Sequence, residues 1–288
     1  MRYYRVPSED GHRLLVESDG EVFDITAARP RITQFLEVAR AAEVGGHSID
    51  EVTRTLIKAA PSVSADVLDN AILPITPSEV WAAGVTYQIS EEAREAESGL
   101  PEVYLNVYES DRPEIFFKAT PSRTVGPAEH IGVREDSEWN VPEPELGIVL
   151  YDGEPVGYTI GNDVSSRSIE GANPLYLPQA KVYERCCSIG PCVATPETIG
   201  DPHDLVMGMS IEREAKTVYE GETSTSLMDR TCEELVSYWT RHNAVPELGV
   251  MLTGTALVPE DDFTLRAGDI VSIEIESIGT LENPVTQV

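Results

Sequence analysis

From residue 78 onward the chain is written as short apolar runs broken at close intervals by glycine and proline, and this texture most narrows what it can fold into. Runs of about four to eight apolar and β-branched residues between turn formers read as strands, being too short for buried helices. Such runs occupy residues 80–85, 115–118, 146–150, 156–160 and 271–275. One helix stands among them: Cys232, Leu235, Val236 and Trp239 share a face behind Thr231-x-x-Glu234, a capping-box pattern. Residues 90–98 read as a short, very acidic helix, residues 99–113 show no period, and Trp81 and Trp239 read as core. Residues 77–288 are therefore expected to form one rolled, mixed sheet. Residues 1–76 have another texture, with alternating strands at 3–6, 12–16 and 21–25 turning at Gly11 and Asp19-Gly20. Helical spacing follows at 31–42 and 49–60, closed by Pro61. This part is expected to be a small N-terminal α/β cap, and the whole chain α+β, mainly β.

Charge limits the partners. The 288 residues carry 50 acidic and 21 basic side chains, a formal net charge of −29. Such a surface repels phosphate, which argues against nucleic acid and anionic membranes. The hydrophobic fraction of 41% separates the chain from acidic disordered sequences. The acids are scattered along the whole length, so self-repulsion must be tolerated everywhere. A concentrated-salt cytoplasm would screen it, because the Debye length falls to about 3 Å at 1 M, and the composition reads as a halophile's. No apolar run of about 18 residues and no signal-peptide core is seen. Cys186, Cys187, Cys192 and Cys232 lack zinc-site spacing and fit reduced cytoplasmic thiols.

Three groups of residues could carry chemistry. In Glu143-Pro144-Glu145 two carboxylates stand at i and i+2 before the apolar strand at 146–150, so an extended backbone points both to one side. Asp163, in Gly161-Asn162-Asp163, could join them from a neighbouring strand to form an all-oxygen set suited to Mg²⁺ or Mn²⁺. Only four residues are lysine, and two of them, Lys118 after Phe116-Phe117 and Lys181 after Gln179-Ala180, follow apolar segments. Near a metal-bound keto acid, such a lysine could serve as base or acid once its neighbours lower its pKa; the alternative is a surface lysine whose stem lies along apolar residues. Third, the run 249–252 enters Thr253-Gly254-Thr255, a turn whose hydroxyl and N–H groups could receive a carboxylate.

In their order, these segments resemble the fumarylacetoacetate hydrolase superfamily over roughly residues 80–285. The matching stretches are Ala83-Gly84-Val85-Thr86-Tyr87, Ile115-Phe116-Phe117-Lys118, Glu143-x-Glu145-Leu146 and Gly161-Asn162-Asp163-Val164-Ser165-Ser166-Arg167. They continue with Ala180-Lys181, Ile189-Gly190-Pro191, Leu252-Thr253-Gly254-Thr255 and Ala267-Gly268-Asp269. The resemblance implies a mixed β-roll, Mg²⁺ held by Glu143, Glu145 and Asp163, and a 2-keto acid substrate. It also implies Lys181 beside the metal, Thr255 near the substrate carboxylate, and a homodimer or homotetramer.

One departure bears on the reaction. Hydrolases of this family usually carry a histidine three residues after the tyrosine of Gly-x-x-Tyr, where it activates water. That position here is Ser90, and His12, His47, His130, His203 and His242 all lie outside the matched motifs. The pattern resembles instead the branch that dehydrates 2-keto-3-deoxy sugar acids in archaeal pentose breakdown, in which Glu114 matches an active-site acid. Lys181 and Glu114 are then the expected catalytic pair, with Ser90, Lys118, Thr255 and Arg94 as substrate contacts and residues 91–112 as a lid. Acylpyruvate hydrolysis or oxaloacetate decarboxylation on the same site is the first alternative. A catalytically idle keto-acid-binding or scaffold protein is the second.

Overall fold

The computed structural model describes residues 1–87 and 110–288. The N-terminal strands β1 (Arg2–Ser8), β2 (Gly11–Ser18) and β3 (Glu21–Asp24) form an antiparallel meander. Helices α1 (Ile25–Ala28), α2 (Phe35–Gly45) and α3 (Ile49–Ile57) follow, and β4 (Ser62–Val63) returns to pair with β3. Caps, rather than apolar spacing, set the helix ends. The Glu37 carboxylate accepts from the Gln34 N–H at 2.9 Å, which starts α2 later than residue 31. Gly46, at φ 64°, then stops it in the left-handed region.

The remaining strands are β5 (Glu79–Gly84), β6 (Glu114–Ala119), β7 (Thr124–Val125), β8 (Ile131–Val133) and β9 (Asn140–Val141). Then come β10 (Pro144–Tyr151), β11 (Glu154–Asp163), β12 (Ser165–Ser166) and β13 (Cys187–Ala194). The last are β14 (Val206–Arg213), β15 (Lys216–Ser224), β16 (Leu248–Leu252), β17 (Ile270–Ile275) and β18 (Gly279–Gln287). One mixed sheet runs β4-β3-β2-β1-β13-β11-β10-β16-β5-β6, with β7 beside β13, and a second runs β15-β14-β17-β18-β8. The N-terminal meander is thus continuous with the main sheet through the antiparallel β1–β13 pair.

Every residue of β10 is buried. Leu146, Ile148 and Leu150 pack into one apolar cluster and Val149 into another, which is why the strand reads as a continuous apolar run rather than an alternating one. Glycines admit the next layer: a Cβ at Gly161 would stand 2.4 Å from Leu252 Cδ2. Two short helices, α4 (Arg167–Ala172) and α5 (Leu177–Lys181), follow β12; α6 (Pro196–Ile199) follows β13, and α7 (Cys232–Thr240) precedes β16. At α7 Thr231 Oγ1 accepts from the Glu234 N–H at 3.1 Å, while the Glu234 carboxylate pairs with Arg230 at 2.7 Å. Trp239 is buried, and Trp81 packs half-buried beside it. The expected acidic helix at 90–98, and the expected lid up to residue 109, lie outside the described residues. All four cysteines are buried free thiols, and no helix among the described residues is long and apolar enough to cross a membrane.

Candidate active site

The β10–β11 hairpin builds the centre. Glu145 pairs opposite Gly161 and Pro144 opposite Asn162, so Glu143, just before β10, meets Asp163 at the end of β11. The Asp163 N–H donates to the Glu143 carbonyl at 2.9 Å, and Asn162 Oδ1 accepts from the Glu143 N–H at 3.2 Å. Period-two geometry then places one oxygen of each buried carboxylate, Glu143, Glu145 and Asp163, within 4.8 Å of the others. Three converging hard oxygens match the donor preference of Mg²⁺ or Mn²⁺. Burial, then the neighbouring Asp163 and Glu143, raise the Glu145 pKa well above the ordinary carboxylate range. The Gly254 N–H donates to Glu145 Oε2 at 2.6 Å. Gly254 sits at φ 91°, and a Cβ there would lie 2.0 Å from Thr86 Oγ1, so this close turn requires glycine.

Lys181 and Arg167 line the same cleft as the three acids. Lys181 Nζ reaches Glu143 Oε2 at 2.5 Å, Ser165 Oγ at 2.7 Å and Asp163 Oδ2 at 3.3 Å. Arg167 Nη2 donates to Glu143 Oε1 at 2.7 Å. Thr255 lines the cleft as well, its hydroxyl also bonded to the Leu257 N–H and carbonyl at 3.1 Å. Glu114 opens β6 opposite Gly84, a residue of the cleft wall. A Cβ at Gly84 would stand 1.9 Å from Glu114 Oε2, so the missing side chain makes room for that carboxyl.

Lys118 has a different place from the one its sequence position suggested. It is fully buried, and its ammonium contacts the Lys181 carbonyl at 2.6 Å, the Val164 carbonyl at 2.9 Å and Asp163 Oδ1 at 2.5 Å. Three protein acceptors occupy its three donors, so this geometry leaves no N–H for a substrate oxygen. Burial works against its charge, but the adjoining Asp163 prevails and the pKa lies above the ordinary lysine value. Ser90 and Arg94 lie outside the described residues. Three site residues were not singled out from sequence: Ser165, Arg167 and Glu170. The first two stand within the Gly161–Arg167 stretch, two and four residues after Asp163, but Glu170 carries no signal among 50 acids.

A buried carboxylate triad with cations beside it, at the end of a mixed-sheet hairpin, defines the class: a centre able to hold a divalent cation. Residues 79–286 match the family model described as fumarylacetoacetate (FAA) hydrolase C-terminal, and the chain belongs to this family. It is 58% identical, over all of both chains, to a protein of Haloferax volcanii named probable 2-keto-3-deoxyxylonate dehydratase. It is 47% identical to the 2-dehydro-3-deoxy-D-arabinonate dehydratase of Saccharolobus solfataricus, over 74% of this chain and 73% of that one. The solved structure of a 2-keto-3-deoxy-D-arabinonate dehydratase complexed with magnesium and 2,5-dioxopentanoate superposes with a TM-score of 0.85 at 34% identity, covering 100% of this chain and 99% of that one.

Proposed function

We propose that this chain is a Mg²⁺-dependent hydro-lyase that converts a 2-keto-3-deoxypentonate, of the arabinonate or xylonate series, to 2-oxoglutarate semialdehyde (2,5-dioxopentanoate). The observation that carries the reading is the full-length likeness to the dehydratase bound to magnesium and 2,5-dioxopentanoate, together with a buried triad able to hold such an ion in this chain. Mn²⁺ suits the same donors. A divalent ion held by Glu143, Glu145 and Asp163 supplies Lewis acidity toward the carboxylate and keto oxygens of the substrate.

The chain's residues then have distinct tasks. Lys181 takes a proton from C3, and Glu114 protonates the C4 hydroxyl as it leaves as water. Loss of both leaves a C3–C4 double bond. Transfer of a proton from C5 to C3 gives the C4–C5 enol, and protonation at C4 yields the aldehyde at C5. Thr255, Ser90 and Arg94 contact the substrate in this reading, whereas Lys118 positions Asp163 from behind. Residues 1–76 serve as a cap on the catalytic unit 77–288. Ser90, where the hydrolases of the family use histidine, supports elimination over cleavage by activated water. The acidic composition and the 58% identical Haloferax relative support a high-salt archaeal cytoplasm as its setting. A homodimer or homotetramer is the assembly implied by the family resemblance.

The test is a coupled assay in about 2 M KCl, where surface charges are screened, with Mg²⁺ and each 2-keto-3-deoxypentonate, acetylpyruvate and oxaloacetate run in parallel. EDTA-sensitive formation of the semialdehyde is the expected result. Cleavage of acetylpyruvate or decarboxylation of oxaloacetate in its place would overturn the reading.

A further inference from the structure

We propose that helix α7 and the turn before it, through Arg230 and Tyr238, hold Glu114 in place as the acid of the elimination. The inference rests on the role given to Glu114 above and deepens it. Glu114 is the first residue of β6, and β6 ends the order of the main sheet. Among the described residues, strand pairing reaches it from β5 alone, where it stands opposite Gly84. The opening residue of an edge strand is the one most free to fray. A carboxyl that must meet a leaving hydroxyl within hydrogen-bond reach needs a fixed backbone beneath it.

The grip lies just ahead of the strand. The Tyr238 hydroxyl donates to the Asp111 carbonyl at 2.7 Å, and the Arg112 guanidinium stands 5.3 Å from the centre of the Tyr238 ring. Arg230 donates through Nη2 to the Ser110 carbonyl and through Nη1, at 3.5 Å, to that of Asp111. Its side chain is only 12% exposed and also pairs with Glu234 at 2.7 Å. Three successive residues, 110–112, are thus tied to α7 and the turn that opens it. Buried Pro113 then leads into Glu114, and its ring fixes φ, so a shift of the tied residues passes to the strand with little slack. The same stretch braces β5 as well. The Asp229 N–H donates to the Thr86 carbonyl at 2.8 Å, and Trp239 packs on Trp81, which meets Phe117 of β6 edge to face at 5.7 Å. Helix α7 therefore bears on both strands of the Gly84–Glu114 pair. Neither Arg230 nor Tyr238 lines the cleft, so both are positioning residues that act on the substrate through Glu114.

The test follows turnover of a 2-keto-3-deoxypentonate at saturating Mg²⁺ in wild-type protein, Tyr238→Phe and the double variant Arg230→Ala/Tyr238→Phe. Each is also made in a Glu114→Gln background, and Mg²⁺ is titrated calorimetrically into all of them. With Glu114 present, Tyr238→Phe should lower kcat about three- to tenfold, the order of one lost hydrogen bond. The double variant should lower it about 10- to 100-fold, as a misplaced reacting group does. KM and Mg²⁺ affinity should stay near wild type, because the triad is held by the β10–β11 hairpin. In Glu114→Gln protein, whose residual turnover no longer uses this acid, the same substitutions should change kcat by less than about twofold. Equal losses in both backgrounds would mark a general structural role and overturn the proposal, as would an unchanged kcat throughout. Tyr238→Phe alone decides the matter if the double variant does not fold. Glu114→Gln protein that turns over at the wild-type rate would overturn the acid role itself, and this inference with it. Wild-type protein that forms no semialdehyde would overturn the dehydratase reading on which both depend.

Discussion

Lys181 closes a helix of five residues, and its ammonium stands among Glu143, Asp163 and Ser165 inside the cleft. Lys181→Ala should lower turnover by about 10²–10⁴-fold, the usual reach of one proton-transfer group, while calorimetry still registers Mg²⁺ on the three carboxylates. Turnover near wild type would remove the role of base. Glu145 gives a dependence on pH whose sign is fixed. Its raised pKa means that it keeps a proton where an ordinary carboxylate has lost one, and a metal must displace that proton. Affinity for Mg²⁺ should therefore rise with pH toward that raised value and fall as pH drops below it. Titration in two buffers of different ionisation heat should show proton release; none would contradict the assignment. Lys118 contrasts with Lys181, being entirely within the protein. Lys118→Met removes the cation paired with Asp163 and should destabilise the fold by about 3–5 kcal/mol, as the breaking of one buried pair typically does. Urea unfolding at fixed salt measures it, and a loss within experimental error would show that Asp163 does not depend on the pair.

The β10–β11 hairpin and the adjoining β16 act together. Leu252 ends β16, lies over Gly161, and runs directly into the turn whose Gly254 N–H bonds Glu145. Gly161→Ala would bring a methyl group to 2.4 Å from Leu252 Cδ2, so leucine, strand or turn must shift. Overpacking of this kind costs about 1–3 kcal/mol. The displaced turn should also weaken Mg²⁺ binding through Glu145; unchanged unfolding and unchanged metal affinity together would refute the coupling. The strands themselves were legible because apolar runs and turn residues are local signals. Helix ends were less so, since the Gln34–Glu37 box and Gly46 overrode apolar spacing in α2. At α7 Arg230 drew the Glu234 side chain away from the reciprocal half of a capping box.

Over the whole molecule, a formal charge of −29 on 288 residues makes self-repulsion a standing term against compactness. The melting temperature should rise with KCl from about 0.1 M to 2 M, most steeply at the low end, where the Debye length is longest. A flat response, followed by circular dichroism at constant pH, would separate the acidic composition from any salt requirement. Continuity of the main sheet through β1 and β13 also makes the N-terminal meander part of the same hydrogen-bonded structure as the strands that hold the carboxylates.

Glu143 and Glu145 could be placed together from sequence alone, because the two-residue repeat of an extended chain is a property of the backbone. The same holds for the buried β10 run, and the ordered motifs carried the family. Lys118 and Lys181 could not be told apart that way, since each follows an apolar segment. Their difference arises in the folded chain: Lys118 meets the Val164 carbonyl 46 residues away, and Lys181 meets Glu143 across 38. Glu170 was one acid among 50 until folding set it within 4.0 Å of Lys181. Short-range geometry is written in residue order, but the burial and charge environment of a side chain depend on what distant segments bring to it, and only the tertiary structure decides that.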